Sequence, residues 1–289
     1  MEIIDGQFHE PSPPKPVGDQ VDAATSLLIN VELAREAIDC VGVDKALAFA
    51  SQPYIDACVA RYPERFAGVV VFDHLADDLE EQIAAYRSKP GCLAGRNMVG
   101  NYATAELRPE FHQGAFDRYW AYAEKHDLPL FFSTHGWAAE MSLVAERHPG
   151  LTMIIDHLGL SQSPVSPPRD EPWDKLDGLL GLAQYPNVHV KLCGVPLLSS
   201  TAYPYPDVWP YLHQVFAAFG PERVLWASDF TRMRWLPTLQ VKDTPYAPFK
   251  DWKYYSDCLN FLRDTNEISE SDKEWVFGKT VRRVLRWPG

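Results

Sequence analysis

Four ionisable side chains that can bind a metal or transfer protons follow apolar, β-rich segments of this 289-residue chain: His9, His135, His157 and Asp229. Imidazole nitrogens and carboxylate oxygens bind divalent ions and act as general acids or bases in hydrolysis. One such histidine is more often structural, but four buried ionisable groups are costly unless they meet and pair. The set therefore predicts a single polar site.

The elements that must position these residues are eight short β-rich runs separated by amphipathic segments of helical spacing. This alternation is typical of parallel strands that close into a (β/α)8 TIM barrel, an α/β fold of about 250 residues. We predict one barrel domain over residues 1–289. The predicted strands are Ile3–Phe8, Lys45–Ala50, Gly68–Phe72, Leu93–Val99, Pro129–Thr134, Thr152–Asp156, His189–Cys193 and Val224–Ser228. The predicted helices are Val31–Ile38, Ile55–Arg61, Leu79–Tyr86, Phe116–Lys125, Ala139–Arg147, Lys175–Ala183 and Val208–Phe219.

The carboxyl ends of barrel strands converge on one mouth, where active sites of this architecture lie. Gln7 and His9 end the first predicted strand, and His135, His157 and Asp229 follow the fifth, sixth and eighth. We therefore expect these five side chains to lie around the same pocket.

Three long segments follow the first, sixth and eighth predicted strands: Glu10–Asp19, Ser161–Pro172 and Thr231–Lys250. Long loops on this face would cover a pocket, and the alternative is a set of disordered surface loops. Aromatic residues near the mouth would suit a ring or lactone substrate, although large aromatic side chains are more often core residues. These aromatic residues are Trp137, Trp226, Trp235, Tyr246 and Trp252.

The formal net charge of −12 argues against a nucleic-acid partner, because phosphate binding needs a basic face. We therefore expect a small-molecule substrate. An anionic substrate would need a local positive cluster such as Arg96, Arg232 and Arg234, which can equally be solvated surface residues.

The chain has no segment that predicts a membrane or a secretory pathway. No apolar run reaches the roughly 18 residues of a membrane span, and Met1 leads into the first strand without a leader pattern. The five cysteines lack paired spacing, and we predict that they are reduced and mostly buried. A cytoplasmic protein is expected, and a homo-oligomer stays open.

Five segments, in this order, carry a resemblance to a known family: Ile4–His9 (IDGQFH), Tyr62–Phe66 (YPERF), Ile155–Gly159 (IDHLG), Asn187–Gly194 (NVHVKLCG) and Arg223–Phe230 (RVLWASDF). Together they resemble the amidohydrolase-related family, the amidohydrolase superfamily branch that holds sugar lactonases, dicarboxylate lactonases and aromatic-acid decarboxylases. The likeness covers almost the whole chain. It implies a metal-dependent hydrolase barrel.

The resemblance also implies roles for individual residues. Family members open with His-X-His at the end of the first strand, and these histidines hold a divalent ion with a fifth-strand histidine and the eighth-strand aspartate. The implied metal ligands here are His9, His135 and Asp229, with His157 beside them as an electrophile or acid. This chain departs at Gln7, whose amide oxygen replaces an imidazole and weakens a site for Zn2+. A second departure is Thr280, where the family has asparagine near the closing helix.

The departure at Gln7 leaves two mechanisms open. With Zn2+ or Mn2+, the ion lowers the pKa of a bound water, Asp229 removes its proton, and His157 helps to polarise the carbonyl. Without metal, Asp229 activates water directly, while the histidines clamp the developing oxyanion. We favour a bound divalent ion, because three mixed ligands remain.

Two basic residues are candidates for substrate binding, together with Gln7 and Trp137. Arg96 ends the fourth strand and can pair with a substrate carboxylate, or with a neighbouring acid such as Asp73. Lys191 shares one face of the seventh strand with Cys193, and we interpret it as a substrate or supporting contact.

The favoured function is hydrolysis of a lactone, with catalytic residues Asp229 and His157. A metal-dependent decarboxylase of an aromatic or unsaturated acid is the alternative within the same fold. A catalytically silent, ligand-binding barrel is the alternative outside it, because fold alone does not prove function.

Overall fold

The computed structural model of the protein describes residues 1–10, 21–101, 104, 106–162, 171–231 and 254–288. Most of the three long segments predicted to cover the mouth lies outside these residues. The predicted mouth residues Arg232, Arg234, Trp235, Tyr246 and Trp252 lie outside them as well.

Eight parallel strands form one sheet in which each strand pairs with its neighbours in chain order. All eight predicted strands are confirmed, with ends that differ by at most two residues. They are β1 (Ile4–Phe8), β2 (Lys45–Phe49), β3 (Phe66–Val71), β4 (Cys92–Met98), β5 (Leu130–Ser133), β6 (Met153–Ile155), β7 (Val188–Cys193) and β8 (Val224–Ala227).

The first and last strands lie side by side and bring the sheet round on itself. Beyond the end of β8, the amide of Asp229 donates to the carbonyl oxygen of Gln7 over 3.2 Å. Gly6 permits the close approach, because a Cβ there would lie 2.7 Å from the carbonyl oxygen of Trp226. The (β/α)8 barrel is therefore confirmed.

Helices connect the strands and continue after β8. Among the described residues they are α1 (Ala23–Val41), α2 (Gln52–Arg61), α3 (Leu79–Arg87), α4 (Asp117–Lys125), α5 (Ser142–Arg147), α6 (Leu176–Leu180), α7 (Trp209–Phe219), α8 (Tyr255–Arg263), α9 (Glu270–Glu274) and α10 (Thr280–Leu285). None of the helices in this described part is long and apolar enough to cross a membrane.

The barrel interior is apolar towards the amino-terminal ends of the strands. Ile4, Leu47, Phe49, Phe131 and Leu225 belong to one buried cluster with Val281, Val284 and Leu285 of α10. Helix α10 therefore closes the amino-terminal end of the barrel. Thr280 lies there, where its hydroxyl donates to the carbonyl oxygens of Pro221 and Glu222 over 3.1 and 3.2 Å. The departure from the family at this position is thus remote from the mouth.

Candidate active site

The polar residues predicted from the strand ends lie at the carboxyl ends of four strands. Gln7 is on β1, and His135, His157 and Asp229 follow β5, β6 and β8. These four side chains are buried, whereas the side chain of His9 keeps 33% of its surface exposed. His9 therefore lies between the buried polar groups and the solvent.

Three of these residues have a left-handed backbone: φ is 49° at His135, 54° at His157 and 52° at Asp229. Residues other than glycine rarely adopt this conformation, which costs about 1–3 kcal/mol and is concentrated at functional sites. Hydrogen bonds between strand ends hold it, including one from the amide of Gly136 to the carbonyl oxygen of Gly159 at 2.7 Å.

Asp229 is the centre of the site. Its Oδ1 lies 3.2 Å from Nε2 of His9, and its Oδ2 lies 3.9 Å from Nε2 of His157. The first distance is that of a hydrogen bond, and the second exceeds it. A buried carboxylate thus lies between two imidazoles, one partly exposed and one buried.

The tautomer of His9 follows from its neighbours. The carbonyl oxygen of Phe49 lies 2.8 Å from Nδ1 and can only accept, so Nδ1 carries a proton. Lys191 donates to Oε1 of Gln7 over 2.5 Å, so the amide NH2 of Gln7 faces Nε2 of His9 at 3.0 Å. In the neutral ring, Nε2 accepts from Gln7. In the protonated ring it donates to Asp229, so His9 can exchange a proton with that carboxylate.

A buried ion cluster contacts Gln7 on the side that faces away from His9. Nζ of Lys191 lies 2.6 Å from one carboxylate oxygen of Asp156, and Nε of Arg96 lies 2.9 Å from the other. Burial raises the pKa of Asp156, but the charges of Lys191 and Arg96 outweigh it and lower the pKa to about 2. The rings of Phe49 and Phe131 lie 4.3 and 4.5 Å from the ammonium group. Asp156 therefore stays ionised at neutral pH and keeps both cations in place.

Arg96 forms the ion pair that the sequence analysis gave as an alternative, but its partner is Asp156. The carboxylate of Asp73 instead accepts the amide of Leu75 over 3.0 Å. Neither Asp156 nor its role was singled out from the sequence, although it precedes His157 directly. The alternation of β6 could have indicated it, because Ile154 points inward and Asp156 is two residues further on.

The cluster of metal-ligand atoms among the described residues differs from the predicted set. His157, Cys193 and Asp229, all buried, each offer a ligand atom, and these atoms lie within 4.8 Å of one another. Nε2 of His9 lies 3.2 Å from Oδ1 of Asp229, and neither His9 nor His135 belongs to the cluster. A nitrogen, a sulfur and an oxygen donor fit Zn2+. The sequence could have indicated Cys193 as a ligand, because it shares the face of Lys191 and is the last residue of β7, beside the mouth.

Two other predicted residues are placed as follows. Nε2 of His135 lies 3.0 Å from the hydroxyl of Ser133. Trp137 keeps 39% of its surface exposed and follows β5 closely, so it remains a predicted contact for substrate. Trp226 is a core residue, as the alternative given for the aromatic residues allowed: it is buried in β8, and its indole donates to the carbonyl oxygen of Cys258 on α8.

Comparisons with known proteins add three findings. The sequence profile described as amidohydrolase matches residues 7–287. The L-fucono-1,5-lactonase of Burkholderia ambifaria is 39% identical over 89 residues, which are 30% of this chain and 28% of that protein. The 4-sulfomuconolactone hydrolase of Rhizobium radiobacter is 28% identical over 139 residues, 40% of this chain and 42% of that protein. The chain thus matches less than half the length of either relative.

Solved structures agree with the fold. A crystal structure of an amidohydrolase from Burkholderia multivorans with bound zinc has a TM-score of 0.74 to this chain, over the full length of both, at 17% identity. At this identity the similarity establishes the barrel architecture alone.

Proposed function

This chain belongs to the amidohydrolase family, and from that premise we propose that it is a hydrolase that opens a lactone ring by attack of water. The observation that carries the proposal is the buried carboxylate of Asp229 between His9 and His157. The names of the two curated relatives, a lactonase and a lactone hydrolase, support the same bond type.

The proposed reaction assigns one task to each side chain around Asp229. The carboxylate takes a proton from water as the water oxygen attacks the lactone carbonyl carbon. His157 donates to the oxyanion that forms there. When the ring C–O bond breaks, the leaving oxygen takes this proton back from Asp229, which is then a carboxylate again, and the new carboxylic acid loses its own proton to solvent by way of His9. The product is a hydroxy acid.

The residues around this core are proposed to bind substrate. Gln7 and Trp137 would contact the ring, and Arg96 would contact a carboxylate on the substrate. Lys191 is fully buried, so we assign it the positioning of Gln7, whose amide oxygen it holds at 2.5 Å.

A divalent ion, when bound at such a site, would polarise the carbonyl and lower the pKa of water. His157, Cys193 and Asp229 are the residues that would hold it.

The test is turnover of a panel of sugar and unsaturated lactones by wild-type protein and the Asp229→Asn variant. Asparagine tolerates the left-handed backbone at this position, so the variant removes the base without straining the chain. We expect kcat/KM to fall by about 100- to 10,000-fold. The matched control is Asp177→Asn on the exposed side of α6, which should leave turnover unchanged.

Three results would contradict the proposal. Equal lactone turnover by wild type and Asp229→Asn would remove Asp229 as the base. Release of CO2 from aromatic or unsaturated acids, with no lactone opened, would assign the site to decarboxylation. A folded wild-type protein with no turnover of either class would favour the silent, ligand-binding barrel.

A further inference from the structure

We propose that His157, Cys193 and Asp229 form a divalent-cation site with a thiolate ligand, in place of the site built on His9 and His135. The cluster is a geometric feature of the mouth. Its three ligand atoms lie within 4.8 Å of one another, and all three residues are buried. This cation site does not depend on lactones being the substrate.

One pair of atoms in the cluster is spaced nearly as two ligands on one ion are. Zinc–ligand bonds of about 2.0–2.3 Å place tetrahedral ligands roughly 3.3–3.7 Å apart. Oδ2 of Asp229 and Nε2 of His157 lie 3.9 Å apart, which is too far for a hydrogen bond and little more than this separation. Inward movement of the side chains would bring all three atoms onto one ion, and water or substrate would take the fourth position.

The region of His9, in contrast, is built against a cation. The amide NH2 of Gln7 points at Nε2 of His9, because Lys191 fixes the amide oxygen on its other side. An ion at Nε2 would lie against this N–H donor. It would also compete with the donor for the single lone pair of the ring nitrogen. The ammonium of Lys191 lies directly behind Gln7 and adds repulsion. The substitution of the first family histidine by Gln7 therefore closes one side of Asp229 to metal.

Cys193 supplies the lost ligand on the other side. It is the last residue of β7, it forms no disulfide, and its carbonyl oxygen accepts a hydrogen bond from Gln162 over 2.8 Å. This contact fixes the backbone from which the thiol projects. Metal binding displaces the thiol proton to solvent. One thiolate and one carboxylate then balance the two charges of the ion.

The donor set also selects the ion. A thiolate and an imidazole favour Zn2+ and Co2+ over Mn2+ and Mg2+, which prefer oxygen ligands. Of the two ions expected from the sequence, the inference thus retains Zn2+ and excludes Mn2+.

Co2+ titration of the metal-stripped protein tests the ligand set by absorption spectroscopy, independently of activity. We expect a sulfur-to-cobalt charge-transfer band in the near ultraviolet at one equivalent. Cys193→Ser should lose this band, and Cys40→Ser, at an exposed position on α1, should keep it. His135→Ala should also keep it. Loss of the band in His135→Ala with retention in Cys193→Ser would overturn the proposal.

X-ray absorption at the zinc edge of the wild-type protein gives a second readout that needs no variant. We expect one sulfur neighbour at about 2.3 Å together with nitrogen and oxygen at about 2.0–2.1 Å. A shell of nitrogen and oxygen alone contradicts the inference, as does a wild-type protein that binds neither ion. Because these measurements need no substrate, failure of the lactonase proposal would leave them interpretable.

Discussion

The arrangement of the polar side chains inside the barrel depends on the ionisation of Asp156. A buried ion pair loses hydration on both partners and is retained only when further contacts compensate. Here Lys191 has Asp156, the amide oxygen of Gln7 and two aromatic rings, and Arg96 has the second carboxylate oxygen. Two cations thus share one carboxylate, and the amide oxygen of Gln7 and the two aromatic rings stabilise the remaining positive charge. The orientation of Gln7, and through it of His9, depends on this cluster.

His189 makes the stability of the protein sensitive to mild acid. Burial, with a smaller effect of the charge on Arg283, lowers the pKa of His189 from 6.5 to about 4. The fold thus favours the neutral ring. This contribution to stability is complete above pH 6.5 and is lost as the pH falls towards 4.

We therefore predict that His189→Gln flattens the pH dependence. Between pH 6.5 and 4, the free energy of unfolding of wild type should fall more steeply than that of the variant. The difference in slope is expected to be about 1.4 kcal/mol per pH unit. Urea denaturation across this range measures it. Parallel curves for the two proteins would show that the folded and unfolded states protonate His189 alike.

The sequence predicted that His9, His157 and Asp229 lie close together, because the carboxyl ends of parallel barrel strands meet at one mouth whatever the details of packing. It did not indicate Cys193 as a neighbour of Asp229 or Asp156 as the partner of Arg96. Those pairings depend on the tilt and stagger of the strands around the barrel. The residue pattern of a single strand does not indicate how far that strand is staggered against its neighbours.

At the scale of elements, the seam between β1 and β8 is held by a side chain as well as by the backbone. Asp5 is fully buried and accepts from the amide of Ser228 at 2.9 Å, from its hydroxyl, and from the hydroxyl of Tyr255 at 2.7 Å. Burial raises its pKa even so. The carboxylate links β1, β8 and α8 in one contact group.

Gly6→Ala should weaken this seam. The added Cβ would lie 2.7 Å from the backbone oxygen of Trp226, which cannot rotate away. We predict a loss of about 1–3 kcal/mol in the free energy of unfolding, measured by urea denaturation. Gly181→Ala is the control, because φ there is −59° and nothing lies within 4 Å. Equal stability of the two variants would mean that the strands separate there without cost.

Helix α1 shows where the sequence patterns were incomplete. The predicted start at Val31 is wrong: the helix begins at Ala23, after Asp22 accepts the amide of Thr25 over 2.7 Å. Its early apolar residues Leu28 and Ile29 are exposed. They therefore break the apolar periodicity that a helix packed on a barrel is expected to have, and the first turns were missed.

At the scale of the whole molecule, we propose that residues 1–289 form one domain. Glu2, before β1, forms two hydrogen bonds with Arg282 of α10, at 2.6 and 2.8 Å. A Cβ on Gly278 would lie 2.8 Å from the backbone oxygen of Glu2, so these two regions are in close contact. Segments from both ends of the described chain thus share one packed surface.

One cooperative unfolding transition should follow. Circular dichroism and tryptophan fluorescence are expected to give the same midpoint in urea. Arg282→Ala should lower this midpoint slightly, because the pair is partly exposed, without splitting the transition. Two midpoints in the wild-type protein would indicate separate domains.

The seam also has a consequence for biosynthesis. The amide of His9 donates a hydrogen bond to a hydroxyl 222 residues later, that of Thr231, and its ring contacts Asp229 at the same place. During translation, β1 therefore cannot pair with its final neighbour until nearly four-fifths of these 289 residues have been made. A nascent chain lacks the assembled carboxylate and its imidazoles, so neither the proposed hydrolysis nor the proposed ion binding can begin before the barrel is closed.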